Sequence, residues 1–206
     1  MRTELERALA TMGLALPSAA CERLLAYAAL LGKWNRVYNL TAIRDPREML
    51  THHLLDSLAV APHLAGLQRL ADVGSGGGLP GIALAIACPE IEVVSIETVN
   101  KKASFQQQAK IELGLTNFHI ENCRVEDYVA DPACDAVISR AFASVADFVA
   151  LTRHLLQPGG RWLAMKGVVP DDELAALPDD VRMVRSVTLE VPGLHAERHL
   201  IILEHS

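Results

Sequence analysis

The stretch from Ala71 to Gly81, ADVGSGGGLPG, carries five glycines in eleven residues and runs into the apolar segment IALAIA. One glycine is enough for a tight turn. Five cost backbone entropy on folding, and they are kept where something must come close to the main chain. The chemistry that asks for a bare backbone is the binding of a nucleotide-like cofactor where a first strand turns into a first helix. GGGLPG, Gly76 to Gly81, has the spacing G-x-G-x-x-G, which alone is a weak sign of a dinucleotide. Three features count against a dinucleotide: Asp72 two residues before the first glycine, Gly74; Pro80 at an early helical position; and the long helical stretch ahead of the motif. No G-x-x-x-x-G-K-[ST] phosphate loop is present. Glu97 ends the next apolar run about twenty residues on, where a carboxylate can accept hydrogen bonds from both ribose hydroxyls, a contact common to dinucleotide and adenosyl cofactors.

Other side chains fall where a substrate could meet such a cofactor. Arg140 ends CDAVISR and Lys166 lies at the end of RWLAMKG. As strand-end cations on the ligand-binding edge of a parallel sheet, they either position a substrate or make structural salt bridges. Lys101, Lys102, Arg124 and Arg198 extend a basic rim suited to phosphate, or are solvated surface charges. In KWNRVYN, Trp34 and Tyr38 stand four residues apart on one helical face; such a pair stacks on exposed RNA bases or packs in the core, and packing is the commoner use. His52, His53 and Asp56 lack the further ligand and supporting shell of a metal centre, so hydrogen bonding on a helix face is the better reading and no metal is expected.

These residues need a scaffold. Residues 1–62 are rich in Leu, Ala, Arg and Glu, with Leu24, Leu25, Ala28 and Leu31 at helical spacing. DPRE sets Asp45 as an N-cap, Pro46 at the first helical position and Glu48 three residues after the cap, starting a helix through MLTHHLLDSL with His52 and Asp56 on one face. From residue 63 to 206 short apolar runs alternate with amphipathic stretches. RLADV, IEVVSIE, NFHIENC, CDAVISR and RWLAMKG read as strands; LPGIALAIAC, NKKASFQQQAKIELG and SVADFVALTRHLL read as helices, the last broken by QPGG. This α/β alternation predicts a Rossmann-like, mostly parallel sheet with helices on both faces. The closely linked VRMVRSVTLEVP and ERHLIILE predict an antiparallel C-terminal edge. The fold class is thus α/β, with a helical N-terminal extension over 1–62 and a Rossmann-like domain over 63–206.

The 206 residues suit one compact unit with a small extension, and half of them are apolar. The N-terminal segment lacks the apolar run of a signal peptide and no stretch is long enough to span a membrane, so the expectation is a cytoplasmic protein without a membrane partner. The four cysteines are widely spaced and read as free thiols. A formal net charge of −6 argues against nonspecific adhesion to nucleic acid, and leaves room for a local basic face.

Taken together, DVGSGGGLPGI, VNKK, RVED, ISRAFAS, MKG and ERHL, preceded by WNRVYNLT and HHLLDSL, resemble the glucose-inhibited division protein B family, also called RsmG. The resemblance runs from about Trp34 onward, in order and at the expected length. It implies a Rossmann-like S-adenosylmethionine-dependent methyltransferase that acts on N7 of one guanine of bacterial 16S ribosomal RNA, in the small ribosomal subunit or its precursor. It also implies that Gly74, Gly76 and Leu79 lie along the methionine part of S-adenosyl-L-methionine, that Glu97 takes the ribose, that Val125 and Glu126 edge the adenine, and that Arg140 belongs to the cofactor pocket. Glu97 stands where members of the family often have Asp, a change of reach without a change of charge. N7 presents an in-plane lone pair and carries no proton, so this reaction needs alignment and no general base; Arg140 and Lys166 would hold the base through guanine O6. The competing readings are an NAD-dependent oxidoreductase using the same glycine turn, and a noncatalytic RNA-binding ribosome-assembly factor.

Overall fold

The computed structural model describes residues 1–140, 142 and 144–206; Ala141 and Ala143 of the ISRAFAS motif lie outside the described residues. The sheet has seven strands: β1 Arg69–Val73, β2 Glu92–Ile96, β3 Phe118–Glu121, β4 Cys134–Ser139, β5 Leu156–Lys166, β6 Val181–Thr188 and β7 His199–His205. Their order is β3-β2-β1-β4-β5-β7-β6. β1 to β5 are parallel, and β7 pairs antiparallel with both β5 and β6. The order reverses between β1 and β4, and at that crevice, beyond the carboxyl ends of the strands, an open α/β sheet binds its ligands.

Successive strand residues point to opposite faces, and the core divides accordingly. Leu70, Val93, Ala136, Ile138 and Leu163 pack in one apolar cluster with α1 (Arg2–Thr11), α2 (Ser18–Tyr38), α5 (Gly81–Ala87) and α6 (Asn100–Leu113). Their neighbours Ala71, Val94, Val137 and Ala164 pack in a second cluster with α7 (Val145–Thr152). The helices ahead of the sheet thus share one core with a sheet face. α2 is held there by Leu24, Tyr27, Ala28, Leu31 and Asn35, which fall on one helical face and are all buried, and it stops at Asn39 in the left-handed region at φ 50°.

The DPRE start forms as expected: Asp45 accepts from Arg47 N at 2.8 Å, and Pro46 opens α3 (Pro46–Met49). The chain then widens into a π-helical segment over Leu50–Leu55 before α4 (Asp56–Leu58). Such wide turns shift side chains around the helix and recur at functional sites; this one carries His52 and His53 toward the sheet.

Two boundaries differ from the sequence expectation. The first helix of the α/β part begins at Gly81 rather than Leu79, because Gly78 N and Leu79 N both turn back to Ser75 O. QPGG lies inside β5 as a bulge, with Cys134 opposite Leu156 and Ala136 already opposite Arg161; the extra residues loop out of the ladder, as bulges do. Among the described residues no helix is long and apolar enough to cross a membrane.

Candidate functional site

The glycine turn after β1 is fixed from below and from outside. Asp72 Oδ2 accepts from Gly81 N at 2.7 Å, tying the end of β1 to the start of α5. Gln106 of α6 donates to Gly76 O and to Ser75 Oγ, both at 2.8 Å, and its carbonyl accepts from Ser95 Oγ of β2 at 2.6 Å. From α2, Tyr27 Oη donates to Gly77 O at 2.7 Å. Two glycines of this stretch hold left-handed conformations that side chains rarely adopt. Gly78 has φ +88° and a Cβ there would lie 2.4 Å from Ile82 Cδ1; Gly76 has φ +60° and faces open space, with nothing within 4 Å of a built Cβ.

That open space belongs to a cavity of about 140 Å³ whose walls include Gly74, Gly76, Leu79, Thr41, His53 and Arg140. A second cavity, about 330 Å³, is lined by Ile43, His52, His53, Asp56, Lys166 and Arg198, and again by Arg140. His53 and Arg140 are common to both, so the two spaces meet at these side chains.

The structure therefore brings Gly74, Gly76, Leu79 and Arg140 together, as the resemblance implies, with Lys166, the other strand-end cation, in the adjoining space. Glu97 reaches the same loop differently. It is buried, with Oε2 accepting from Gly76 N at 2.7 Å and Oε1 from Val99 N at 2.8 Å. Each carboxylate oxygen keeps a second lone pair for a further donor. Val125 and Glu126 stand apart from both cavities, on the turn after β3 that His154 supports through the carbonyls of Val125 and Tyr128, each at 3.1 Å. Lys101 and Lys102 open α6 close behind Glu97.

Arg198 departs from the outer rim expected for it. Its Nε donates to Asp56 Oδ1 at 3.0 Å, and Arg140 Nη1 donates to Asp56 Oδ2 and to His52 O, both at 3.2 Å. Asp56 is 2% exposed, so one buried carboxylate bridges two guanidiniums on the wall of the larger cavity. The helix-face bond expected between His52 and Asp56 is replaced by this long-range pairing, because both carboxylate oxygens are committed to arginines from the sheet. Arg124, another expected rim residue, is largely exposed and paired with Glu126 at 2.6 Å. Lys166 Nζ bonds Glu173 Oε2 at 2.9 Å.

Burial and the neighbouring Arg140 lower the pKa of His53 to about 4, so its ring is neutral near pH 7. Nδ1 lies 3.2 Å from the carbonyl of His52 and Nε2 lies 2.9 Å from Thr41 Oγ1. A carbonyl can only accept, so Nδ1 carries the proton and the Nε2 lone pair is taken by the threonine hydroxyl. Burial pushes the Asp72 carboxyl up to about 7, against the opposing pull of Gly81 N and Arg140. Trp34 lies half-buried against Phe105, ring centres 5.6 Å apart, and against Tyr38 at 5.1 Å, which is packing.

Sequence reasoning missed Tyr27, Gln106, Thr41, His154 and the bridging part of Asp56. Tyr27 and Gln106 could have been suspected as polar groups on otherwise apolar helix faces; the others carry no local signal.

Residues 20–201 match the family model GidB, described as rRNA small subunit methyltransferase G. A protein of Aromatoleum aromaticum named ribosomal RNA small subunit methyltransferase G is 65% identical over 206 residues, covering 98% of each chain. One of the same name from Neisseria meningitidis serogroup A is 52% identical over 202 residues, 98% of this chain and 97% of its own. Among solved structures, TrmN from Thermus thermophilus superposes with a TM-score of 0.59 at 18% identity, over 76% of this chain and 53% of its own. A SAM-dependent methyltransferase from Thiobacillus denitrificans, in complex with S-adenosyl-L-homocysteine, gives 0.54 at 15% identity, over 74% and 90%. At such identities these two likenesses concern the fold.

Proposed function

This chain belongs to the rRNA small subunit methyltransferase G family, and we propose that it methylates N7 of a single guanine of 16S rRNA, in the small ribosomal subunit or its precursor, in the cytoplasm. It is an S-adenosylmethionine-dependent rRNA methyltransferase, which sets aside the dinucleotide oxidoreductase and the noncatalytic binding factor. S-adenosylmethionine supplies, when bound, a methyl group on a positively charged sulfur. The residues fit it: the backbone at Gly76 is left-handed and open to close approach, and the carboxylate of Glu97 is anchored to that same backbone.

In this reading Gly74, Gly76, Leu79 and Arg140 hold the methionine part, Glu97 the ribose, and Val125 with Glu126 the adenine. Lys101, Lys102 and Arg124 form a phosphate rim on the cofactor side. Arg140 and Lys166 position the target guanine, and Arg198, seated on Asp56, joins them. Residues 1–62 act as the extension that closes the acceptor side over the methyltransferase domain of 63–206.

The observation that carries the N7 assignment is the state of the two ionisable groups deepest in the larger cavity. Asp56 is committed to two arginines, and His53 is neutral with its lone pair on Thr41. Neither is poised to take a proton. Transfer to an amine or a hydroxyl must lose one, whereas N7 carries none, so alignment of the acceptor lone pair with the methyl group is the work left to the site. A guanidinium fixed by Asp56 can donate to guanine O6 while leaving N7 clear.

Labelled methyl transfer to small subunits from cells lacking the enzyme, followed by mapping of the modified nucleotide, tests the substrate. Replacing the mapped guanine by 7-deazaguanine tests the atom: the substrate should bind and accept no label. Undiminished labelling would place the methyl on another atom and send the search to His52, the remaining imidazole of that cavity.

A further inference from the structure

Resting on the rRNA methyltransferase reading, we propose that a groove between α2 and α3, lined by Lys33, Arg36 and Arg44, is a docking surface for the sugar-phosphate backbone of the rRNA strand beside the target nucleotide. The groove encloses about 540 Å³ over a floor that includes Ala28, Gly32 and Met49. Its lining contains three cationic side chains and no carboxylate. On a chain of formal net charge −6, such a grouping is not the average surface. Asp45, the acidic residue adjacent in sequence, has Oδ1 occupied in capping Arg47 N. The guanidinium of Arg44 is steadied by Asn39 Oδ1 at 3.0 Å, a neutral partner.

Continuity with the site favours RNA. Residues 40–44 form one short loop that touches all three spaces in turn: Leu40 and Thr41 line the cofactor cavity, Ile43 the larger cavity, and Arg44 the groove. Asn35, itself 3% exposed and part of the groove wall, pins that loop by donating to Ile43 O at 3.0 Å and accepting from Thr41 N at 2.9 Å. The groove therefore begins one residue from the wall of the cavity that takes the target base. A strand that delivers a base there carries its flanking phosphates across this loop. Phosphate contacts of this kind fix register without reading sequence.

The test compares the wild-type enzyme with Lys33→Gln/Arg36→Gln/Arg44→Gln and with the charge-preserving Lys33→Arg/Arg36→Lys/Arg44→Lys. Binding to protein-free 16S rRNA is titrated between low and physiological salt, with S-adenosylmethionine affinity by calorimetry as the control. Each lost phosphate contact to single-stranded nucleic acid lowers the slope of log K against log salt by about 0.7, so the neutralised variant should lose about 2 from the slope and bind about tenfold or more weakly. The charge-preserving variant should keep the wild-type slope, and both should bind the cofactor as wild type does. An unchanged slope for the neutralised variant overturns the proposal. So does an equal loss in the charge-preserving variant, which would trace the effect to shape. Loss of binding to intact subunits alone, with protein-free rRNA bound normally, would reassign the groove to a ribosomal protein. Failure of the wild-type enzyme to methylate rRNA at all would instead overturn the reading on which the proposal rests.

Discussion

Asp56→Asn is the substitution that separates a structural ion pair from a device that aims two arginines. The carboxylate is 2% exposed, and Arg140 and Arg198 bond its two oxygens at 3.2 and 3.0 Å while their own side chains are 28% and 24% exposed. Asparagine keeps the shape and one acceptor oxygen, loses the charge, and turns an N–H₂ donor toward one guanidinium. Breaking a buried pair on one side costs about 3–5 kcal/mol, and a hydrogen bond to a charged group is worth about 1.5–3 kcal/mol. Both arginines retain some water, so the lower end applies, about 2–3 kcal/mol. For a protein of this size that lowers Tm by roughly 4–12 °C.

Stability alone would be shared by any buried ion pair, so the decisive measurement is coupling. At a temperature well below either melting transition, kcat/KM for small subunits is measured for Asp56→Asn, Arg198→Gln and the double variant. If Asp56 acts by aiming Arg198, the second substitution removes little that the first has left, and the losses should fall short of additive by about 0.5–3 kcal/mol. Each single variant should lose about tenfold or more. Additive losses, or full activity in Asp56→Asn once it is folded, would refute the positioning argument and leave a pair that only holds helix to sheet.

Three further outcomes follow from the cofactor side. Gly76→Asp places a Cβ and a charge where φ is +60° and the space is open to ligand, and calorimetry should show S-adenosylmethionine binding lost or strongly weakened; unchanged affinity would remove the loop from the site. Glu97→Ala frees the N–H groups of Gly76 and Val99 and removes the ribose acceptor, so cofactor affinity should fall by on the order of 1–3 kcal/mol, read by the same titration. Asp72 carries the opposite sign from a salt-bridged carboxylate: with its folded pKa raised to about 7, the native state holds a proton that the unfolded chain releases near pH 4, and its contribution to stability drops as pH rises between those values. Asp72→Asn should therefore gain on wild type by on the order of 2 kcal/mol between pH 5 and pH 8 in cofactor-free denaturant unfolding, and a pH-independent difference would contradict the burial argument.

What could be read in advance was whatever the chain writes locally. β1 is Arg69–Val73, the five residues RLADV picked out by their apolar run. α6 closes at Gly114, in the left-handed region at φ 63°, because a helix stop is signalled by the residue itself. Glycines packed between a strand and a helix, and charges at strand ends, belong to the same class of signal, which marks the turn after β1 and Arg140 as candidates; that Gly74, Gly76, Leu79 and Arg140 share one cofactor pocket is what the family resemblance implies. Asp56 could not. Its partners are 84 and 142 residues away, and nothing in HHLLDSL distinguishes a carboxylate facing water from one that will bridge two arginines. Arg198 was misplaced for the same reason: a cation near a sheet edge reads as a rim until its partner is seen. QPGG reads as a helix stop since proline and glycine break helices, but α7 has already ended at Thr152 and bulges accept the same residues, so only pairing with β4 shows that the strand has begun.

One helix connects the two halves of the site. Tyr27 of α2 holds the glycine turn through Gly77 O, and Asn35 of the same helix holds the loop whose residues line the larger cavity and the basic groove. The two anchors are roughly two turns apart, about 12 Å along the axis. The donor loop and the acceptor loop are therefore spaced by a packed helix, with Leu24, Ala28 and Leu31 buried around the anchors, and not by the slack of connecting segments. Where no proton has to move, rate depends on reacting atoms being held within about 3–3.5 Å and in line. In the proposed reading, a rigid spacer between the glycine turn and the loop of residues 40–44 supplies that constraint before the RNA arrives. This gives the helices ahead of the sheet a part in the chemistry even though none of their side chains needs to touch the methyl group.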